Sequence, residues 1–330
     1  MDVVKYLEEK SAIVEGKIRE IVPKDSRPQE VYGPIWDLFG RGGKRLRPAM
    51  CLLASEAVGG DEKKALVAAA AIEMFHNFTL IHDDIEDASL MRRGKPCLHI
   101  EYGMPLALNA GDGLFMMVWK AALQAGEAPE ENLATQKMLL GAFTKVLEGQ
   151  AVELGWHRSG KWDVTKEEYL GMAGGKTGAL IEASCRAGAF LGGGAQEEID
   201  ALAKFGMGVG IVFQIQDDVL NIIGDEKKYR KEIGGDIVEG KRTLIVIGAL
   251  EALETSKRKR LLKLLKNEKK TKEDVEKVIA LLKESGAVQK AQEYAIKQVD
   301  KAKEKLDVVK NTHAKKMLWD IADYLVVREV

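Results

Sequence analysis

Residues 65–87 read ALVAAAAIEMFHNFTLIHDDIED. The run is rich in Ala, Leu, Met and Phe, and it is read as one long helix over 62–87. Its apolar body ends in four acids, Asp83, Asp84, Glu86 and Asp87, and Arg92 and Arg93 follow directly. On a helix Asp83 and Asp87 share a face one turn apart, where two negative charges repel.

Working outward, helical spacing dominates. Val3, Leu7, Ile13, Val14 and Ile18 begin the chain on one stripe. Ala/Leu/Met-rich segments follow near 45–58, 104–123, 131–156, 176–190 and 196–223, with charged amphipathic helices near 257–266, 271–284 and 287–308. Gly pairs and prolines separate them. One short stretch, TLIVIG at 243–248, looks strand-like. The expectation is a single all-α domain over 1–330, a large antiparallel helical bundle around a central cavity, with the polar tail helices as a solvated outer layer.

Bulk properties exclude some functions. A formal net charge of -1 gives no overall field to recruit nucleic acid or an anionic membrane. Cys51, Cys97 and Cys185 fit neither a disulfide framework nor a zinc pattern and read as core residues of a reducing compartment. The N-terminus lacks the apolar core of a signal peptide, and no membrane span is expected, so the cytoplasm is the expected location.

The acids at 83–87 admit two readings. One is a solvated helix end. The other is a Mg²⁺ site, because a small hard cation between Asp83 and Asp87, with Asp84 beside them, turns repulsion into attraction and leaves positions for phosphate oxygens. The apolar flank favours the second, and Arg92 and Arg93 could grip phosphate directly. A matching pattern occurs in IVFQIQDDVLN, 211–221, where Gln214, Asp217, Asp218 and Asn221 line one helical face among apolar residues. Carboxylates in such a setting are costly unless paired or metal-bound.

Basic motifs add to this. GGKRLRP, 42–48, sets Lys44, Arg45 and Arg47 behind a glycine pair near an expected helix start, where backbone N–H groups favour phosphate; a surface loop is the alternative. GMAGGKTG, 171–178, is not a nucleotide phosphate loop, since the glycine spacing is one residue short and no strand precedes it. GMGVG, 206–210, lacks the dinucleotide spacing and is read as a site of close helix packing.

With GGKTGAL (174–180) and GGDIVEGKRT (234–243), these motifs, in this order, make the sequence strongly resemble the trans-isoprenyl diphosphate synthases, the polyprenyl synthetase family. The resemblance runs from about Gly42 to Thr243. It implies head-to-tail condensation of isopentenyl diphosphate with an allylic diphosphate, using two or three Mg²⁺ ions held by Asp83, Asp84, Asp87 and Asp217. It puts Lys44, Arg47, His76 and Arg93 on isopentenyl diphosphate. Arg92, Lys176, Thr177, Gln214, Lys231 and Lys241 fall to the allylic diphosphate, with Lys176, Thr177 and Gln214 lining the reacting centre at a helix break. The segment carrying Lys231, Asp236 and Lys241 is expected to be a closing lid.

The residues before the first acidic motif set product length in the family. Phe78, with Phe75 and Met74 deeper, resembles the floor of archaeal-type geranylgeranyl diphosphate synthases; farnesyl and longer products are the alternatives. Asn221 stands where many relatives have a third aspartate, and Glu153 where they often have a shorter acid. The tail LVVREV carries only Arg328, which argues against closure by a basic tail. A homodimer is expected. A non-catalytic subunit of such an enzyme is disfavoured by the intact Asp and Arg motifs, and a terpene cyclase by the second Asp motif.

Overall fold

The computed structural model describes residues 2–224, 233–310 and 312–327. Among these the protein is all-α, apart from a two-residue hairpin. Its contacts gather into two compact units: Met1–Thr144, Leu180–Gly206 and Lys303–Ile321 form the first, and Lys145–Ala179, Met207–Ala302 and Ala322–Val330 the second.

In the first unit, α1 (Val3–Ile21) is capped by the Asp2 carboxylate. It is followed by α2 (Gln29–Gly40), α3 (Leu46–Ala57) and α4 (Glu62–Glu86), the last capped by Asp61. The hairpin β1 (Met91–Arg92) and β2 (Lys95–Pro96) precedes the short α5 (Leu98–Glu101) and then α6 (Met104–Ala122). Helix α4 is the core element, packed against α1, α3 and α6. By length and composition it could cross a membrane, contrary to the expectation that no such stretch exists. Its buried residues, from Ala65 to Ile81, make it instead the central helix of this unit.

Helix α7 (Pro129–Ser159) begins in the first unit and ends in the second. There α8 (Lys166–Ala173) starts with a capping box between Thr165 and Glu168 and runs into a π-turn, Gly174–Gly178. After it come α9 (Ala179–Leu191), α10 (Gln196–Ile223) and α11 (Gly235–Glu239). The remaining helices are α12 (Leu244–Ala252), α13 (Thr255–Leu265), α14 (Lys272–Glu284), α15 (Ala287–Glu304) and α16 (His313–Val327). The strand-like TLIVIG is the start of α12. Thr243 accepts a hydrogen bond from the Val246 N–H and caps the helix, and Leu244–Ile247 are buried, so burial and a cap override β-propensity.

Candidate active site

In the first unit, the loop before α3 uses three positive φ values, at Gly42, Gly43 and Arg45. Arg45, left-handed at φ 47, turns inward. It is 3% exposed and bonds Glu73 at 2.7 Å and Glu15 at 3.1 Å. Of the three basic residues in GGKRLRP, Arg45 is therefore structural. Lys44 is exposed, and Arg47 reaches His76, with Nη1 3.3 Å from Nε2. Since guanidinium only donates, His76 Nε2 accepts, and the ring is neutral. Burial, and then Arg47, Arg93, Arg45 and Arg92, hold its pKa well below the usual histidine value.

The hairpin sends two adjacent arginines to different tasks. Arg92 lies on β1, and its Nε donates to Asp84 Oδ1 at 2.9 Å, joined there by Nη2. Arg93 and Gly94, both at positive φ, make the two-residue turn. Arg93 turns back to donate to the Gly42 carbonyl, and any Cβ on Gly43 would lie 2.8 Å from its guanidinium. Burial and the neighbouring Arg45 push Arg93 down to about 10.

Asp83 is half-buried on the last turn of α4, and Asp87, also half-buried, caps its end. Asp84 is different. It is 3% exposed and accepts from Arg92, which it anchors in this structure. Likewise, Arg92 is committed to a carboxylate in this structure. Behind the acids, Phe75 and Met74 are fully buried and Phe78 nearly so. Phe75 stacks on Phe143 at 3.7 Å, Phe78 stacks on Phe115 at 5.0 Å, and Trp119 meets Phe143 edge-on. Phe115, Trp119 and Phe143 were not singled out in the sequence, because nothing in their spacing ties α6 or α7 to α4.

In the second unit, the helix break expected at Lys176 and Thr177 is the π-turn, a feature frequent at functional sites. Gly149 on α7 makes room for it, since a Cβ there would sit 2.3 Å from the Lys176 nitrogen. Lys176 Nζ meets Glu153 Oε2 at 2.5 Å. Burial alone would raise the Glu153 carboxyl, but Lys176, Lys241 and Arg242 hold it below the usual range. The longer acid at 153 thus reaches the lysine. Thr177 Oγ1 donates to Gln214 Oε1 at 2.7 Å. Gln214 Nε2 donates to Asp218 Oδ1 at 2.9 Å, and Tyr169 donates to Asp218 Oδ2 at 2.6 Å. Asp217 is half-buried; Asp218 is 3% exposed, and burial, with Asp236 nearby, pushes its carboxyl well above the usual range.

Asn221 Oδ1 accepts from the Asp236 N–H at 3.1 Å, and its carbonyl from Gly234 at 2.8 Å, so it fastens the start of α11. Lys241 pairs with Asp236 and Glu239. Its neighbour Arg242 lies over the Trp162 ring and donates to the Lys161, Trp156 and Gly240 carbonyls. Lys231 and Arg328 lie outside the described residues.

Among the described residues, no three His, Cys, Asp or Glu side chains form a preassembled metal cage. The donors present still suit a small hard cation. Such an ion binds through one or two carboxylates and completes its shell with water and phosphate oxygens.

Comparison with known proteins fits these features. A family model described as polyprenyl synthetase matches residues 28–282. The chain is 40% identical to a short chain isoprenyl diphosphate synthase of Methanothermobacter thermautotrophicus, covering 100% of this chain and 99% of that one. It is 38% identical to a geranylgeranyl diphosphate synthase of Methanosarcina mazei, again covering 100% and 99%. The crystal structure of geranylgeranyl pyrophosphate synthetase from Pyrococcus horikoshii superposes with a TM-score of 0.92 at 40% identity, covering 99% of this chain and 98% of that one.

Proposed function

This chain belongs to the polyprenyl synthetase family and is a trans-prenyltransferase, and from that premise we propose that it makes geranylgeranyl diphosphate by adding isopentenyl diphosphate head-to-tail to an allylic diphosphate. The observation that carries the reading is the arginine corner around neutral His76. Arg47 lies 3.3 Å from His76, and the Arg93 and Arg45 guanidinium groups both crowd Gly43, a cluster of cations that an anion would relieve. Lys44, Arg47, His76 and Arg93 bind the diphosphate of isopentenyl diphosphate.

Asp83, Asp87 and Asp217 are the residues that would carry Mg²⁺. When bound, the metal neutralises negative charge on the leaving diphosphate. Lys176, Lys241 and Lys231 add fixed positive charge for the same group, and Arg92 does so while held by Asp84. Thr177 and Gln214 offer oxygen dipoles to the allylic cation. The isopentenyl double bond attacks that cation, and the proton lost afterwards goes to the departed pyrophosphate. Apolar walls exclude the water that would quench the cation. Phe78, stacked on Phe115, closes the pocket for the growing chain at twenty carbons, with Phe75 and Met74 as the layer behind it.

The whole chain works as one polyprenyl synthetase domain, in the cytoplasm, as a homodimer. Support for the dimer comes from large apolar side chains exposed on α6 and the first part of α7, among them Met104, Met116, Leu133 and Leu140. Light scattering on the purified protein should give twice the chain mass.

The decisive experiment supplies labelled isopentenyl diphosphate, each allylic starter in turn and Mg²⁺, then chromatographs the dephosphorylated products. A twenty-carbon alcohol is expected. Arrest at fifteen carbons would make it a farnesyl diphosphate synthase, longer chains a polyprenyl diphosphate synthase, and no elongation a non-catalytic subunit.

A further inference from the structure

Four polar side chains of the second unit, three of them buried, form a hydrogen-bond chain. Tyr169 on α8 is 1% exposed, and its hydroxyl donates to one oxygen of Asp218. The other oxygen of Asp218 accepts from the Gln214 amide nitrogen. The Gln214 carbonyl oxygen accepts from the Thr177 hydroxyl. Thr177 and Asp218 are 5% and 3% exposed, and Gln214 between them is half-buried, so water has little access to the two ends of the chain.

The links run in one sense. The Asp218 oxygen facing Gln214 accepts from the amide, which presents its NH₂ there. The amide must then present its carbonyl to Thr177. Thr177 must use its proton on that carbonyl, which leaves the hydroxyl lone pairs for another partner. Reversal at any step would turn the Thr177 proton outward, and a proton is the wrong end of the dipole for a cation.

We propose that Tyr169 is a positioning residue for the ionisation step: through Asp218 it fixes the Gln214 amide, and so holds the Thr177 hydroxyl with its oxygen available to the allylic cation. The inference rests on the reading that Thr177 and Gln214 meet that cation. A purely structural tie between α8 and α10 would change melting temperature without a selective effect on the chemical step.

Tyr169→Phe removes only the hydroxyl and keeps the ring. The test uses the full chain with Mg²⁺, well below each variant's melting temperature, and measures the single-turnover rate of the first condensation and KM for both diphosphates. The expected result is a rate roughly tenfold lower, with both KM values within about twofold of wild type. In a Thr177→Val background, adding Tyr169→Phe should change the rate by less than about twofold, because there is no hydroxyl left to orient. Asp218→Asn probes the same chain from its middle, and serves if Tyr169→Phe does not fold. Its rate loss should shrink in the Thr177→Val background, whereas any effect through the neighbouring Asp217 would persist. An unchanged single-turnover rate in Tyr169→Phe, or an equal loss with and without the Thr177 hydroxyl, overturns the inference alone. A wild-type protein that makes no prenyl product removes the underlying reading as well.

Discussion

The chain writes the dipeptide Asp-Asp at 83–84 and again at 217–218, and the two copies are alike in one respect and opposed in another. In both, the first aspartate is half-buried and the second is 3% exposed. The buried members have different company. Asp84 holds a cation, and although burial opposes it, Asp84 raises the pKa of Arg92. Asp218 accepts, among the described residues, from the neutral donors Tyr169 and Gln214, and burial pushes its carboxyl up. An identical dipeptide thus gives a closed ion pair in one unit and a directional relay in the other. The half-buried members, Asp83 and Asp217, are left as the better candidates for metal.

The most severe way to break this comparison is to remove those candidates. Asp83→Ala or Asp217→Ala should cut turnover by about a thousandfold or more, since charge on the leaving group would go uncompensated. Steady-state rates near wild type would end the metal assignment. Asp84→Ala should act on the fold instead. It strands a half-buried guanidinium, which costs about 1–3 kcal/mol of stability, read as a lowered denaturation midpoint. Loss of activity at unchanged stability would put Asp84 back among the metal ligands.

A similar contrast separates the two phenylalanines behind the first pair. Phe75 is fully enclosed and lies flat on Phe143, so Phe75→Ala should cost about 3–5 kcal/mol. Phe78 keeps 8% of its surface exposed and stacks on Phe115. Phe78→Ala should therefore lengthen the product by at least one isoprene unit, visible by chromatography. Unchanged product length would remove Phe78 from the floor.

Much of this was legible in the sequence where the signal was local. The segments read near 62–87, 104–123 and 196–223 are α4, α6 and α10 within a residue or so, because apolar periodicity and caps such as Asp61 act over one or two turns. TLIVIG misled because β-branched residues in a short run mimic a strand, and the capping Thr243 was the cue to the contrary. Three adjacent basic residues looked alike, yet Arg45 is turned inward by a left-handed backbone and claimed by Glu73 from α4. That partnership, like Arg92 with Asp84, Lys176 with Glu153 and Tyr169 with Asp218, depends on residues brought together by tertiary packing. Side-chain periodicity does not encode it. Gln214 with Thr177 was foreseeable only through the family resemblance.

The smallest expected effect concerns His76 and acid. Burial first, and then its neighbours Arg47, Arg93, Arg45 and Arg92, disfavour a proton, so its folded pKa lies well below the unfolded value of about 6.5. A base with a depressed pKa takes its proton in the unfolded chain first. Its contribution is therefore complete above pH ~6.5 and is lost as pH falls below that, by at most about 1.4 kcal/mol per pH unit. His76→Gln keeps an acceptor for Arg47 but cannot titrate, so its stability should decline less between pH 6.5 and 5. Inorganic pyrophosphate bound at the arginine corner would offset the positive field and let His76 protonate, flattening the wild-type curve toward that of the variant. Denaturation midpoints of both proteins across that range, with and without pyrophosphate, check the argument. Parallel curves would show that His76 titrates normally and that the arginines around it are already neutralised, leaving no demand for an anion there.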